Sequence, residues 1–278
     1  MRRFLEYPLW GSPYIKEDVM QVHPVREREK ILFEPTRKWL RVMLEGKIIA
    51  DSKKVYLLLP GGPPFYYFPQ SDVRMDMLKP TDRTSESTRF GKAVYWDIKI
   101  GEELIENAAW TYPQPLVPGI DLSGYVSFDW NKMEAWFEEN EQVYVHPHDP
   151  HKRIDILNST RHIEVVVGGQ KVAVSDRPTL LFETGLPTRY YLPSLDVRMD
   201  LLVHSDTVTG CAYKGKANYY SVKIGDKIFP DIAWYYRYPM MEAAKIAGLL
   251  CFYNERVDKL LVDGEEQTKP VTEWSDSR

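Results

Sequence analysis

Short runs in which apolar and polar positions alternate make the local pattern of this chain mostly β. Leu40–Leu44 and Ile163–Val167 are aliphatic stretches that each run into a glycine-containing turn, Glu45-Gly46-Lys47 and Gly168-Gly169-Gln170, and then into a second apolar stretch. Both read as hairpins. Tyr95–Ile100 and Tyr219–Ile224 alternate polar with apolar positions before Gly101 and Gly225 end them, which predicts strands. Lys132–Glu139 looks helical by composition. Its counterpart later in the chain, Arg256–Val262, ends in the turn Asp263-Gly264, so both are expected as strands despite weak helical propensity.

Those counterparts exist because the chain is one module written twice. Asp72-Val73-Arg74-Met75-Asp76 recurs as Asp196-Val197-Arg198-Met199-Asp200, and the surrounding sequence repeats in the same register. Gly91-Lys92-Ala93 answers Gly215-Lys216-Ala217, Trp110 answers Trp234, and Gly124 answers Gly248. Upstream the register slips by one, with Ser52 opposite Ser175 and His23-Pro24 opposite His146-Pro147, so one residue is inserted between Ser175 and Tyr190. A long fixed repeat decides architecture before local detail does. The expected fold is mainly β: an N-terminal arm (1–20), a first module (21–144), a second module (145–268) and a C-terminal tail (269–278). The repeated pentapeptide predicts a short helix in each module. Ser194 can cap the second and Asp72 the first. If the helix is regular, Asp196 and Asp200 share a face that could suit a divalent cation; the alternative is a purely structural role.

Composition adds limits rather than a function. With 278 residues, 44% hydrophobic, the chain can build two modest cores. A net charge of −4 argues against a partner that tracks nucleic-acid phosphates. Without an apolar run fit for a signal peptide or membrane span, a cytoplasmic protein is expected. Two cysteines, Cys211 and Cys251, cannot form a disulfide framework or a four-thiolate zinc site.

The segments Leu180–Pro193, Cys211-Ala212-Tyr213-Lys214-Gly215, Ala233-Trp234 and Ala247–Glu255 resemble the family called domain of unknown function 427. The resemblance is strongest over about 146–264 and weaker but collinear over about 23–142. It implies compact β domains of β-tent type, sometimes in tandem. Some members are labelled nucleotidyltransferase-like. Zinc-binding relatives of that architecture use four cysteines, which this chain does not have.

Laying the copies together singles out candidate chemistry. Glu183, Cys211 and Lys214 of the second copy stand opposite Pro60, Ser87 and Phe90 of the first. This is the pattern of a fold retained and a site abandoned. Glu183 and Lys214 are the expected catalytic pair. Glu183, its pKa raised by aromatic shielding, would move a proton while Lys214 stabilises a developing anion. The competing reading makes them a solvated strand pair and Cys211 a small buried hydrophobe. Tyr191, Tyr213 and Trp234, with Cys211 and Arg198, are expected around a small, partly hydrophobic ligand. Only about half of the module's aromatics can face any one side.

His146, His148 and His151, with Asp149 and Asp155, are a possible metal set or a proline-stiffened linker. The expectation is that no metal or other cofactor is needed. There is no phosphate-cradling glycine loop, dinucleotide fingerprint, Gly-x-Ser-x-Gly elbow or paired acidic motif after Gly11-Ser12 for nucleotidyl transfer. Metal-independent acid–base chemistry of isomerase, cyclase or lyase type is the expected function. The alternatives are a non-catalytic ligand-binding module, or a scaffold presenting the acidic strand around Glu138-Glu139 to a protein partner.

Overall fold

The computed structural model describes residues 31–275. The proposed arm (1–20), His23-Pro24 and residues 276–278 of the proposed tail lie outside them. The first module contains eleven strands: β1 (Leu32–Pro35), β2 (Leu40–Leu44), β3 (Lys47–Ser52), β4 (Tyr56–Leu59), β5 (Phe65–Pro69), β6 (Leu78–Ser87), β7 (Gly91–Ile100), β8 (Glu103–Thr111), β9 (Tyr125–Phe128), β10 (Ala135–Glu138) and β11 (Glu141–Val143). The second repeats them as β12 (Ile154–Asn158), β13 (Ile163–Val167), β14 (Gln170–Ser175), β15 (Thr179–Glu183), β16 (Arg189–Leu192), β17 (Leu202–Cys211), β18 (Gly215–Ile224), β19 (Lys227–Pro239), β20 (Leu250–Phe252), β21 (Lys259–Val262) and β22 (Glu265–Glu266). Each module has a seven-stranded sheet, β1-β4-β5-β9-β8-β7-β6 or β12-β15-β16-β20-β19-β18-β17, and a four-stranded one, β11-β10-β2-β3 or β14-β13-β21-β22. The expected hairpins are present, and Lys132–Glu139 contributes strand β10.

Period-two alternation gives the seven-stranded sheet two buried faces. In the second module Leu192, Ala233, Leu250 and Phe252 pack with Ile163, Val165 and Leu260 of the smaller sheet. Their chain neighbours Tyr191, Trp234, Cys251 and Tyr253 join Leu181, Tyr219 and Tyr236 on the opposite face. A one-residue slip would exchange the two sets, so register and core composition fix each other. Tyr190 and Tyr220 pack on the inter-sheet side, so the aromatics do divide between faces.

The pairing locates the inserted residue. Leu58 faces Phe65 in the first module, whereas Leu181 faces Arg189 in the second, placing the extra residue in the turn between β15 and β16. Gly91 and Gly215 open β7 and β18 with φ of +87° and +93°. A Cβ there would lie 3.1 Å from the Gln114 carbonyl oxygen and 3.3 Å from that of Tyr238. The repeated Gly-Lys-Ala therefore reflects left-handed backbone pressed against a neighbouring segment.

The repeated pentapeptide is a clasp between sheets rather than one helix. It forms two single 3₁₀ turns, Ser194–Asp196 and Met199–Leu201, separated by extended Val197 (φ −117°, ψ 138°). Pro193 occupies the N-cap position and no side chain caps the turn; Pro69 does the same in the first module, so neither Ser194 nor Asp72 is a cap. Asp196 instead accepts the Ser175 hydroxyl at 2.7 Å and pairs with Arg177, while Asp200 pairs with Arg198. The first copy repeats the Ser52–Asp72 and Arg74–Asp76 contacts. Val73 and Val197 bridge to Ala50 and Ala173 of the smaller sheets. The break at Val197 removes the shared helical face that Asp196 and Asp200 would need as a metal pair.

Candidate functional site

The second face of the seven-stranded sheet that runs from β12 to β17 opens into a cavity of about 580 Å³. Alternation on β16, β18 and β19 directs Tyr191, Tyr219, Trp234 and Tyr236 to it, and the β17–β18 turn adds Tyr213 and Lys214. Glu183 closes one end from the last position of β15. Six of the seven residues expected around a site, Glu183, Lys214, Cys211, Tyr191, Tyr213 and Trp234, line this cavity. Arg198 does not: its guanidinium is held by Asp200 in the clasp, and it is removed from the ligand set.

Glu183 and Lys214 form a buried ion pair, and Lys152 approaches the other carboxylate oxygen of Glu183 at 2.9 Å. Burial pushes the Glu183 pKa up, but the two ammonium groups outweigh it and hold the carboxyl below its usual range. This corrects the expected shielded, weakly acidic glutamate: two cations keep it ionised. It also means that Glu183 and Lys214 are neither a solvated pair nor a base poised near neutrality.

Lys152 belongs to the His-Pro-rich stretch, which braces the site. His148 donates from Nε2 to the Ala212 carbonyl at 2.6 Å and stacks on Tyr213 with centroids 4.9 Å apart. The Tyr213 hydroxyl accepts the Asp149 amide at 2.8 Å, and burial pushes its pKa to about 12. His151 turns to Glu34 of the first module at 2.8 Å. The three histidines thus face different partners, and among the described residues no group of three or more His, Cys, Asp or Glu could hold a metal.

Sequence comparison passed over a second ion pair in the wall. Arg189 and Glu255 are both 6% exposed and meet through two parallel 2.7 Å hydrogen bonds. The guanidinium also lies 5.5 Å from the ring centroids of Trp234 and Trp274. Their counterparts are Phe65 and Asn131, so the same comparison that exposed Glu183 held this signal. Trp274 and Glu273 bring the described part of the C-terminal tail into the cavity wall. Nothing local in the sequence announces that.

Two polar atoms of the lining bear on what the cavity could bind, the Tyr236 hydroxyl and His146 Nε2. Tyr236 is only 5% exposed as a residue; its hydroxyl makes no hydrogen bond among the described residues and keeps accessible surface at the cavity wall. His146 directs Nδ1 at the Pro147 carbonyl at 2.7 Å, which requires a proton on Nδ1 and leaves Nε2 as an acceptor in the neutral ring. Burial lowers the His146 pKa, with help from Lys152 and His148, so the neutral form prevails at pH 7.

The first module has a cavity of about 330 Å³ at the equivalent place, lined by Leu58, Phe65, Tyr67, Phe90, Tyr95 and Trp110 among others. The Trp110 indole donates to the Tyr67 hydroxyl at 3.3 Å as Trp234 does to Tyr191 at 3.1 Å. The frame is shared and the charged end is not. A family model described as Domain of unknown function (DUF427), with the label NTP_transf_9, matches residues 32–139 and 155–263. The chain belongs to this family. Both DUF427 matches coincide with the structural repeat, one per module. Comparison with curated proteins gives no match. Within this DUF427 chain, no helix of the described residues is long and apolar enough to cross a membrane. The acidic strand of the scaffold reading faces its own module: Glu138 pairs with Lys38 and Tyr66, and Glu139 accepts the Trp39 amide at 2.9 Å.

Proposed function

We propose that the second module binds a small, partly hydrophobic organic molecule in its aromatic-lined cavity. The observation that carries this reading is a cavity of ligand size walled by Tyr191, Tyr219, Trp234 and Tyr236, with the Tyr236 hydroxyl open to a ligand atom. Trp234, Tyr253 and Tyr219 supply flat apolar surface beside it.

Native mass spectrometry of the chain purified from its source tests the proposal. A small molecule is expected to remain bound, to be released on denaturation, and to be absent from the Trp234→Ala variant while Trp110→Ala retains it. Failure to find a retained mass, together with no thermal shift from a chemically diverse set of small molecules, would count against the cavity as a binding site.

His146 favours a second step, conversion of the ligand by metal-independent acid–base chemistry of isomerase, cyclase or lyase type. Its Nε2 replaces Glu183 as the base, and Lys214 and Lys152 stabilise the anion that proton removal creates. Turnover of the released molecule by wild type but not by His146→Gln is the expected result.

A further inference from the structure

Resting on the cavity as the binding site, we propose that its ligand is an amphipathic organic acid whose anionic group docks between Lys152 and Lys214. Both ammonium groups converge on one carboxylate, Glu183, so this end of the cavity carries an excess positive charge. Each ammonium has three donors, of which one is directed to Glu183. The Lys214 and Lys152 side chains are only 11% and 27% exposed, so water compensates that charge poorly. The Lys152 ammonium also sits 5.2 Å from the Tyr213 ring centroid, which keeps it at the lining rather than in bulk solvent.

Among the described residues, neither lysine forms an ion pair with a second carboxylate, and the nearby Asp149 side chain accepts the His151 amide. Arg189 is neutralised by its fork with Glu255. Asp231 accepts the hydroxyls of Ser205 and Thr207, and Arg256 donates to the Pro230 and Asp231 carbonyls. Those groups adjoin Ser221, six residues along β18 from Gly215, or about 20 Å at the usual strand rise. Between the two ends run Tyr219, Trp234 and Tyr236, which fit the planar body of such an acid. The first module provides the contrast: Pro60 and Phe90 replace Glu183 and Lys214, and the lysine that does line its cavity, Lys132, pairs with Asp129 and donates to the Glu106 carbonyl.

A matched probe pair tests this. 1-Anilinonaphthalene-8-sulfonate and N-phenyl-1-naphthylamine share their rings, and only the first is anionic. The full chain is expected to bind the sulfonate more tightly, as read by probe fluorescence. Lys152→Met and Lys214→Met should each weaken sulfonate binding about tenfold, as loss of one charge-assisted hydrogen bond implies, and leave the neutral probe unchanged. Glu183→Gln should tighten sulfonate binding while leaving the neutral probe unchanged, whereas a partly unfolded variant would bind both probes more. Near-ultraviolet circular dichroism checks that each variant is folded. Equal affinity for both probes, or sulfonate binding indifferent to all three substitutions, overturns the acid proposal and leaves the cavity reading standing. Binding of neither probe overturns both.

Discussion

Removing one partner of the Arg189–Glu255 pair should unfold the second module selectively. The Glu255 side chain is 0% exposed and that of Arg189 is 8% exposed. Arg189→Met therefore strands a carboxylate without water or counter-ion. Breaking a buried pair in this way costs about 3–5 kcal/mol. For a module of roughly 120 residues, 1 kcal/mol corresponds to about 4 °C in melting temperature, so the expected drop is about 12–20 °C. The fork geometry and the three rings around the guanidinium (Trp234, Tyr253 and Trp274) place the loss in the upper part of that range. Differential scanning calorimetry should show the second module's transition moving while the first, with Phe65 and Asn131 at these positions, stays in place. Arg189→Met/Glu255→Met should recover most of the loss, because two apolar residues leave no stranded charge. A drop of under about 1 kcal/mol for the single variant, or no recovery in the double, would refute the argument.

Further outcomes follow from the same geometry. Glu183 and Glu255 both titrate below the unfolded value of 4.5, so their contribution is present above that pH and lost as pH falls through their folded values. Acid titration should therefore destabilise the second module first, and Glu255→Gln should flatten the slope. Tyr191→Phe and Tyr67→Phe each delete an equivalent indole–hydroxyl bond and should each cost about 0.5–1.5 kcal/mol in urea unfolding. Cys251 is fully buried and its thiol is pushed up to about 12, whereas Cys211 is partly exposed at the cavity wall. Iodoacetamide on the native chain should modify Cys211 alone, as peptide mass mapping would show. Gly168→Ala should destabilise by at least about 1 kcal/mol, because φ is +59° and the added Cβ would meet the Phe229 ring at 2.8 Å.

The copy comparison read the candidate site better than any motif. It grouped Glu183, Lys214 and Cys211, which line one cavity, because a retained frame makes divergent side chains visible. It passed over Arg189 and Glu255, whose replacement by Phe65 and Asn131 carries the same kind of signal. It also gave Arg198 to the ligand, since a charged residue in a repeated pentapeptide looks the same whether it serves a site or a clasp. The Glu183 environment was misjudged for a related reason. Aromatic neighbours were visible in sequence, but Lys152, thirty-one positions upstream, was not visibly a second counter-ion.

The sequence by itself determined the duplicated β architecture, because alternation at period two and a collinear repeat are local properties that survive in one dimension. It also settled which residues can be buried together on one face of a strand. Only the tertiary structure decided that the histidine-rich stretch and the C-terminal Trp274 complete the cavity wall. Only it showed that one carboxylate sits between two lysines. Charge balance in a buried site depends on distances between segments remote in the chain, and those distances are set by how sheets and loops pack, not by spacing along the sequence.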